Sequence, residues 1–174
     1  MSEPTYCERC ATRLERKRSE GPDPDRLVCP SCGFVAYENP SPTVQAWIER
    51  DGRFLALKRG QDPERGSWNM PGGFVEAGES GPEAIRREVR EETGLEIEIL
   101  GVIGVFASTY GEGPDAEPIF DVAFRATTGD AELDVSDESE EARWFSLADF
   151  PEPAFRGERE ALAILRGNAA ATEG

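Results

Sequence analysis

The 174 residues carry 35 acids against 19 bases and no histidine, a formal charge of −16 at pH 7. Such a field disfavours nucleic acid as a partner, because it lacks the basic surface that phosphate contact needs. No apolar run approaches the roughly 20 residues that span a bilayer, and no signal or transit segment is read. The chain therefore reads as a cytoplasmic protein with no membrane partner, one domain plus a small appended module.

The first element is that module, over residues 1–36. All four cysteines fall there, as Cys7-x2-Cys10 and Cys29-x2-Cys32. Paired knuckles at this spacing predict a zinc ribbon. So short a segment cannot bury a core of its own and needs a metal staple. With four cysteine ligands the Zn²⁺ has no open position, so its expected role is structural. Arg13, Arg16, Lys17 and Arg18 lie between the knuckles. They are expected to offset the negative charge of a zinc tetrathiolate, with contact to a nucleotide as the alternative.

Residues 37–42 read as a linker and 43–166 as the main domain. Val44, Ala46 and Ile48 alternate with Gln45, Trp47 and Glu49, which predicts a strand. Trp47 sits on the otherwise polar side, where it would stack a base or pack against the ribbon. Asp51-Gly52 signals a hairpin turn, and residues 54–58 a second strand. Arg59 at its end is a candidate phosphate ligand.

The next stretch, residues 73–95, reads GFVEAGESGPEAIRREVREETGL. Ser80 and Glu83 form a capping-box signature, Pro82 suits a first turn, and Gly94 is placed to stop the helix. At about 100° per residue, Glu88, Glu91 and Glu92 fall within roughly a 100° arc. Ile85 and Val89 form an apolar stripe beside them, while Glu83, Arg86 and Arg90 share the far side and can pair there. Three clustered carboxylates repel one another, and oxygen-rich clusters suit hard cations such as Mg²⁺.

Residues 95–106 and 119–126 read as further strands, 143–146 as a last short one, and 156–165 as an amphipathic helix. Residues 167–174 read as a disordered tail.

Gly73, Glu79, Arg87, Glu88, Val89, Glu91, Glu92, Gly94 and Leu95 match all nine specified positions of G-x5-E-x7-R-E-U-x-E-E-x-G-U. This stretch resembles the Nudix box. The resemblance implies an α+β fold, the Nudix α/β/α sandwich with a mixed sheet. It also implies metal-dependent hydrolysis of a nucleoside diphosphate linked to another group. Glu88, Glu91, Glu92 and the Gly72 carbonyl would hold Mg²⁺ or Mn²⁺. Glu88 and Glu91 are both candidates for the base, Arg87 would orient an acid, and Glu79 would hold the loop. The segment 138–145 resembles a late E-x3-A-x-W-F motif of the family, which makes Glu138 a distal metal ligand. Tyr110 loosely resembles a tyrosine of dinucleoside polyphosphate hydrolases and would bind substrate.

A zinc ribbon followed by Tyr-x-Asn-Pro and this box resembles the layout of NADH pyrophosphatases. Their SQPWPFPxS-like motif is absent, and residues 99–113 read ILGVIGVFASTYGEG instead. The expected partner is a small nucleotide of the ADP-ribose, nucleotide-sugar or dinucleotide type, and a homodimer is compatible with this reading. A non-catalytic nucleotide sensor or an RNA-associated module is the alternative, although sensors usually lose box acids and none is lost here. The bases are 17 arginines and two lysines, a balance that resembles proteins of extreme halophiles.

Overall fold

The computed structural model describes residues 4–18, 24–111, 113 and 116–172, with side chains through 167. Two compact units divide after Asn39. In the first, β1 (Glu15–Lys17), β2 (Arg26–Val28) and β3 (Val35–Ala36) form an antiparallel sheet in that order. Among the described residues, Cys7, Leu14 and Cys29 form its buried core. In the second knuckle Gly33 takes φ +74° and donates its N–H to the Cys29 carbonyl at 3.0 Å, a turn that glycine makes at no steric cost.

The second unit is built on one mixed sheet. Its strands are β4 (Ser41–Arg50), β5 (Arg53–Arg59), β6 (Trp68–Asn69), β7 (Gly72–Phe74), β8 (Ile97–Tyr110), β9 (Glu117–Thr128) and β10 (Ser139–Phe145). The order is β10-β5-β4-β9-β8, with β6 on β5 and β7 on β4. The β4–β9 pair is parallel and the other pairs are antiparallel. Asp51 and Gly52 both take positive φ, the combination a two-residue hairpin turn between right-twisted strands requires.

Helix α1 (Gly81–Thr93) covers one face of the sheet and α2 (Arg156–Thr172) the other. Ala84, Ile85 and Val89 pack with Val44, Ala46, Ile48, Leu55 and Phe124. Ala161, Leu162 and Leu165 pack with Trp47, Phe54, Ala56, Met70 and Phe106. The result is the α+β sandwich expected. The Ser80 N–H donates to the Glu83 carboxylate at 2.8 Å, and Gly94 closes α1 at φ +70° with its N–H on the Arg90 carbonyl. Among the described residues no ion pair joins Glu83 to Arg86, the pairing that the far side allowed. Arg86 bonds the Pro82 carbonyl, Arg90 bonds Glu96, and Ser80 engages Glu83.

Three expectations are corrected. The linker is shorter than 37–42, because Ser41 and Pro42 already pair in register with Ile119 and Phe120. The expected tail is helical through Thr172, since alanines 169–171 favour helix; residues 173–174 lie outside the described residues. Trp47 is fully buried between Phe54 and Phe150 and its indole N–H donates to Gln45. It packs rather than stacking a ligand. Alternation misled because both faces of β4 are covered, so its second face is core as well.

Candidate active site

A cavity of about 360 Å³ opens beside the loop that joins β6 to β7. Glu88 and Glu92 of α1, Glu138 before β10, Gly72 and Gly73 line one side. Two glycines allow this closeness. A Cβ at Gly72 would collide with the Val44 carbonyl, and one at Gly73 would sit 2.5 Å from Glu88 Oε1. The loop can therefore lie flat between the acidic helix and β4.

Glu92 accepts the Gly72 N–H at 2.9 Å. Burial pushes its pKa up to about 8, and the charges of Glu88 and Glu138 push in the same direction against that hydrogen bond. Burial also raises Glu88, opposed by Arg87. With its pKa at about 8, Glu92 stays protonated near neutrality until a cation arrives.

Arg87 organises the box. Its guanidinium donates to Glu79 at 2.6 Å, Glu88 at 2.8 Å, Glu91 at 3.2 Å and the Phe74 carbonyl at 3.1 Å. Glu79 in turn accepts the Glu76 N–H at 2.8 Å and is lowered by the Arg87 hydrogen bond, so it ties the loop to the helix.

Glu91 does not line the cavity. Its side chain is 61 % exposed, and among the described residues it is held only by Arg87. Glu88 and Glu92 sit about 40° apart on the helix, whereas Glu91 lies about 60° outside that pair. The loop covers the first two and leaves the third at the rim.

Arg59, Tyr110 and Phe155 line the same cavity. Arg59 donates through Nε to the Pro63 carbonyl at 2.7 Å, and its guanidinium lies 5.0 Å from the Phe155 ring centre. Tyr110 packs between Phe74 and Phe155. Strand pairing of Ser139 with Arg59, and the Gly60 N–H on the Glu138 carbonyl at 2.8 Å, bring the distal acid to this rim.

The donor set fits a hard divalent ion: carboxylates from two elements and a backbone segment facing one cavity. Among the described residues, only the four thiols have all ligand atoms within 4.8 Å of one another. The carboxylates stand wider apart, an arrangement suited to an ion whose shell is completed by water and substrate phosphates.

Sequence reasoning did not select Gln45, Asn69, Asp121, Phe155 or Glu158, all of which line the cavity. The signals existed. Asp121 interrupts the apolar run IFDVAF, and Glu158 falls on the apolar side of its helix.

In the ribbon unit the four cysteines are free thiols. The Sγ separations are 3.6 Å for Cys7–Cys32, 3.4 Å for Cys10–Cys29 and 3.6 Å for Cys10–Cys32. Tetrahedral Zn–S bonds of about 2.3 Å place sulfurs roughly 3.8 Å apart, so the cluster fits zinc with a small expansion.

Residues 39–165 match the model of the NUDIX domain, and residues 5–38 match that of the zinc ribbon described as Nudix N-terminal. An ADP-ribose pyrophosphatase from Methanocaldococcus jannaschii is 36% identical over 129 residues, 72% of this chain and 73% of that protein. A NAD-capped RNA hydrolase NudC from Pseudomonas aeruginosa is 34% identical over 148 residues, 84% of this chain but only 49% of that protein. The crystal structure of a NUDIX hydrolase from Nitrosomonas europaea superposes with a TM-score of 0.74 at 29% identity, over 91% of this chain and 88% of that one.

Proposed function

The chain belongs to the Nudix hydrolase family, and we propose that it cleaves the diphosphate of a nucleoside diphosphate derivative of the ADP-ribose or NAD type. One observation carries this reading. Glu88, Glu92 and Glu138 line one cavity together with Arg59 and the rings of Phe74, Tyr110 and Phe155. Carboxylates for a cation, a guanidinium and rings in one cleft match a substrate with a charged diphosphate and a planar base. The similarity to an ADP-ribose pyrophosphatase supports the same class.

Glu88, Glu92, Glu138 and the Gly72 carbonyl would hold Mg²⁺ or Mn²⁺. When bound, the ions neutralise the diphosphate and lower the pKa of water. Of the two candidate bases, Glu88 lines the cavity and Glu91 does not, so we assign proton removal to Glu88. The water oxygen bonds to phosphorus, the bridging P–O bond breaks, and the leaving phosphate carries the electron pair away. Arg87 positions Glu88 through the 2.8 Å hydrogen bond, and Arg59 faces the diphosphate. With ADP-ribose the products are AMP and ribose 5-phosphate.

No helix among the described residues is long and apolar enough to cross a membrane; a cytoplasmic site of action agrees with a small nucleotide substrate. Product analysis with ADP-ribose, NADH, UDP-glucose and ATP, with and without Mg²⁺, tests the reading. Metal-dependent release of AMP from ADP-ribose or NADH supports it. Turnover of ATP alone rejects it.

A further inference from the structure

Part of the cavity lining is not used by the chemistry above. It comprises Gln45 of β4, Asn69 of β6, Asp121 of β9 and the first turn of α2. These groups are in direct succession. A Cβ at Gly157 would lie 2.6 Å from Asp121 Oδ2, so α2 rests on that carboxylate. The next residue, Glu158, accepts the Met70 N–H at 2.9 Å and the Phe155 N–H at 3.1 Å. Asn69 adjoins Met70 and is 7 % exposed.

Asp121 is 6 % exposed, yet it lines the cavity and has no ion pair among the described residues. Thr43 Oγ1 donates to it at 2.9 Å and Gln45 Nε2 donates to its other oxygen. The Gln45 oxygen accepts the Trp47 indole N–H at 2.8 Å. A relay anchored in the core thus orients this carboxylate. An ionised carboxylate has about four acceptor sites, and these two donors leave capacity for a ligand.

A second observation is independent of that acid. Asn69 donates to the Met70 carbonyl at 3.1 Å, while its buried Oδ1 has no partner among the described residues. A buried acceptor without a donor costs free energy, and such groups are normally satisfied. The distal wall therefore offers acceptors beside the apolar surface of Ile119, Tyr110 and Phe155. Arg59 lines the same cavity. A further phosphate at the distal wall would set its oxygens against the acceptor oxygens of Asp121 and Asn69. A hydroxylated ring would present C–H surface to the aromatics and O–H donors to the acceptors.

Resting on the diphosphate-cleavage reading above, we propose that this wall is a subsite for a polyhydroxylated group, such as a pentose, carried on the second phosphate. Asp121 is the specificity-determining residue, and Gln45 is a positioning residue that acts through it.

The test compares ADP-ribose with ADP ethyl ester, which has the same anhydride and no hydroxyl at that end. In the wild-type protein kcat/KM should favour ADP-ribose by about 10- to 100-fold, the scale of a hydrogen bond to a charged group. Asp121→Asn should collapse that ratio toward one, mainly through KM for ADP-ribose. A purely structural role lowers both substrates by the same factor and leaves the ratio intact, which overturns the proposal. Equal wild-type rates on the two substrates also overturn it, and this arm decides the matter if the variant does not fold. Calorimetric binding to metal-free wild-type protein separates the two readings. Tighter binding of ADP-ribose than of the ester, without hydrolysis of either on adding Mg²⁺, upholds the subsite and rejects the hydrolase reading. Equal binding and equal cleavage reject the subsite alone.

Discussion

Gly72 and Glu92 are joined by a 2.9 Å hydrogen bond in which the loop N–H donates to the carboxylate of α1. The contact explains why the acidic helix and the glycine loop act as one device. The loop buries Glu92, and burial is what raises its pKa to about 8.

Metal binding should therefore release protons. Between about pH 5 and 8 the metal-free protein holds a proton on Glu92 that a bound cation displaces. Titration of Mg²⁺ by calorimetry in buffers of different ionisation enthalpy should show proton release near pH 6.5 that is diminished in Glu92→Gln. Release of the same size in the variant assigns the protons elsewhere.

The same shift sets the pH dependence of stability. Glu92 and Glu158 are both pushed up to about 8 by burial. Between the unfolded value near 4.5 and about 8, the folded state binds more protons than the unfolded state. Stability then falls as pH rises through that window and levels off above it. The melting temperature of metal-free protein should decline from pH 5 to pH 8, and the decline should be shallower in Glu92→Gln. An equal or steeper slope in the variant would contradict the assignment.

Glu88→Gln keeps the shape of the side chain and removes its charge. The fold should survive, while turnover falls by at least about 10², the scale of a lost acid–base group. Glu91→Gln should cost less, because Glu91 lies outside the cavity. Comparable losses in single-turnover assays of the two variants would reverse that ranking.

Cys29→Ser should release zinc and unfold the ribbon, whose buried core among the described residues is Cys7, Leu14 and Cys29. Binding free energies of structural zinc reach about 10–16 kcal/mol, far more than so small a core supplies. The second unit has its own sheet and two clusters of core side chains, so Mg²⁺-dependent activity should persist in part. Metal analysis that finds no zinc in freshly purified, reduced protein would refute the site.

A net charge of −16 makes the compact state repel itself at low ionic strength. The Debye length falls from about 10 Å at 0.1 M to about 3 Å at 1 M salt. The melting temperature of metal-loaded protein should rise steadily between about 0.1 M and 2 M KCl, with a parallel NaCl series to separate screening from specific ion effects. A flat or falling curve would remove the case for a salt-adapted surface.

The sequence by itself determined whatever is local. The paired cysteine knuckles, the capping box at Ser80, the glycine stop at Gly94 and the register of Glu88 and Glu92 on one helix all follow from spacing along a single segment. The mixed sheet and its two covering helices were legible at the level of class. Only the tertiary structure decided what depends on two segments meeting. Trp47 reads as the odd residue on a polar face until α2 covers that face and makes it core. Glu91 belongs with its neighbours by helical angle until the glycine loop closes over the other two acids. Asp121, Gln45, Asn69 and Glu158 come from four different elements, and the breaks that Asp121 and Glu158 make in apolar patterns do not say that they meet. Sheet order and the docking of α2 on Asp121 bring them together, because a buried polar group finds its partners across the fold rather than along the chain.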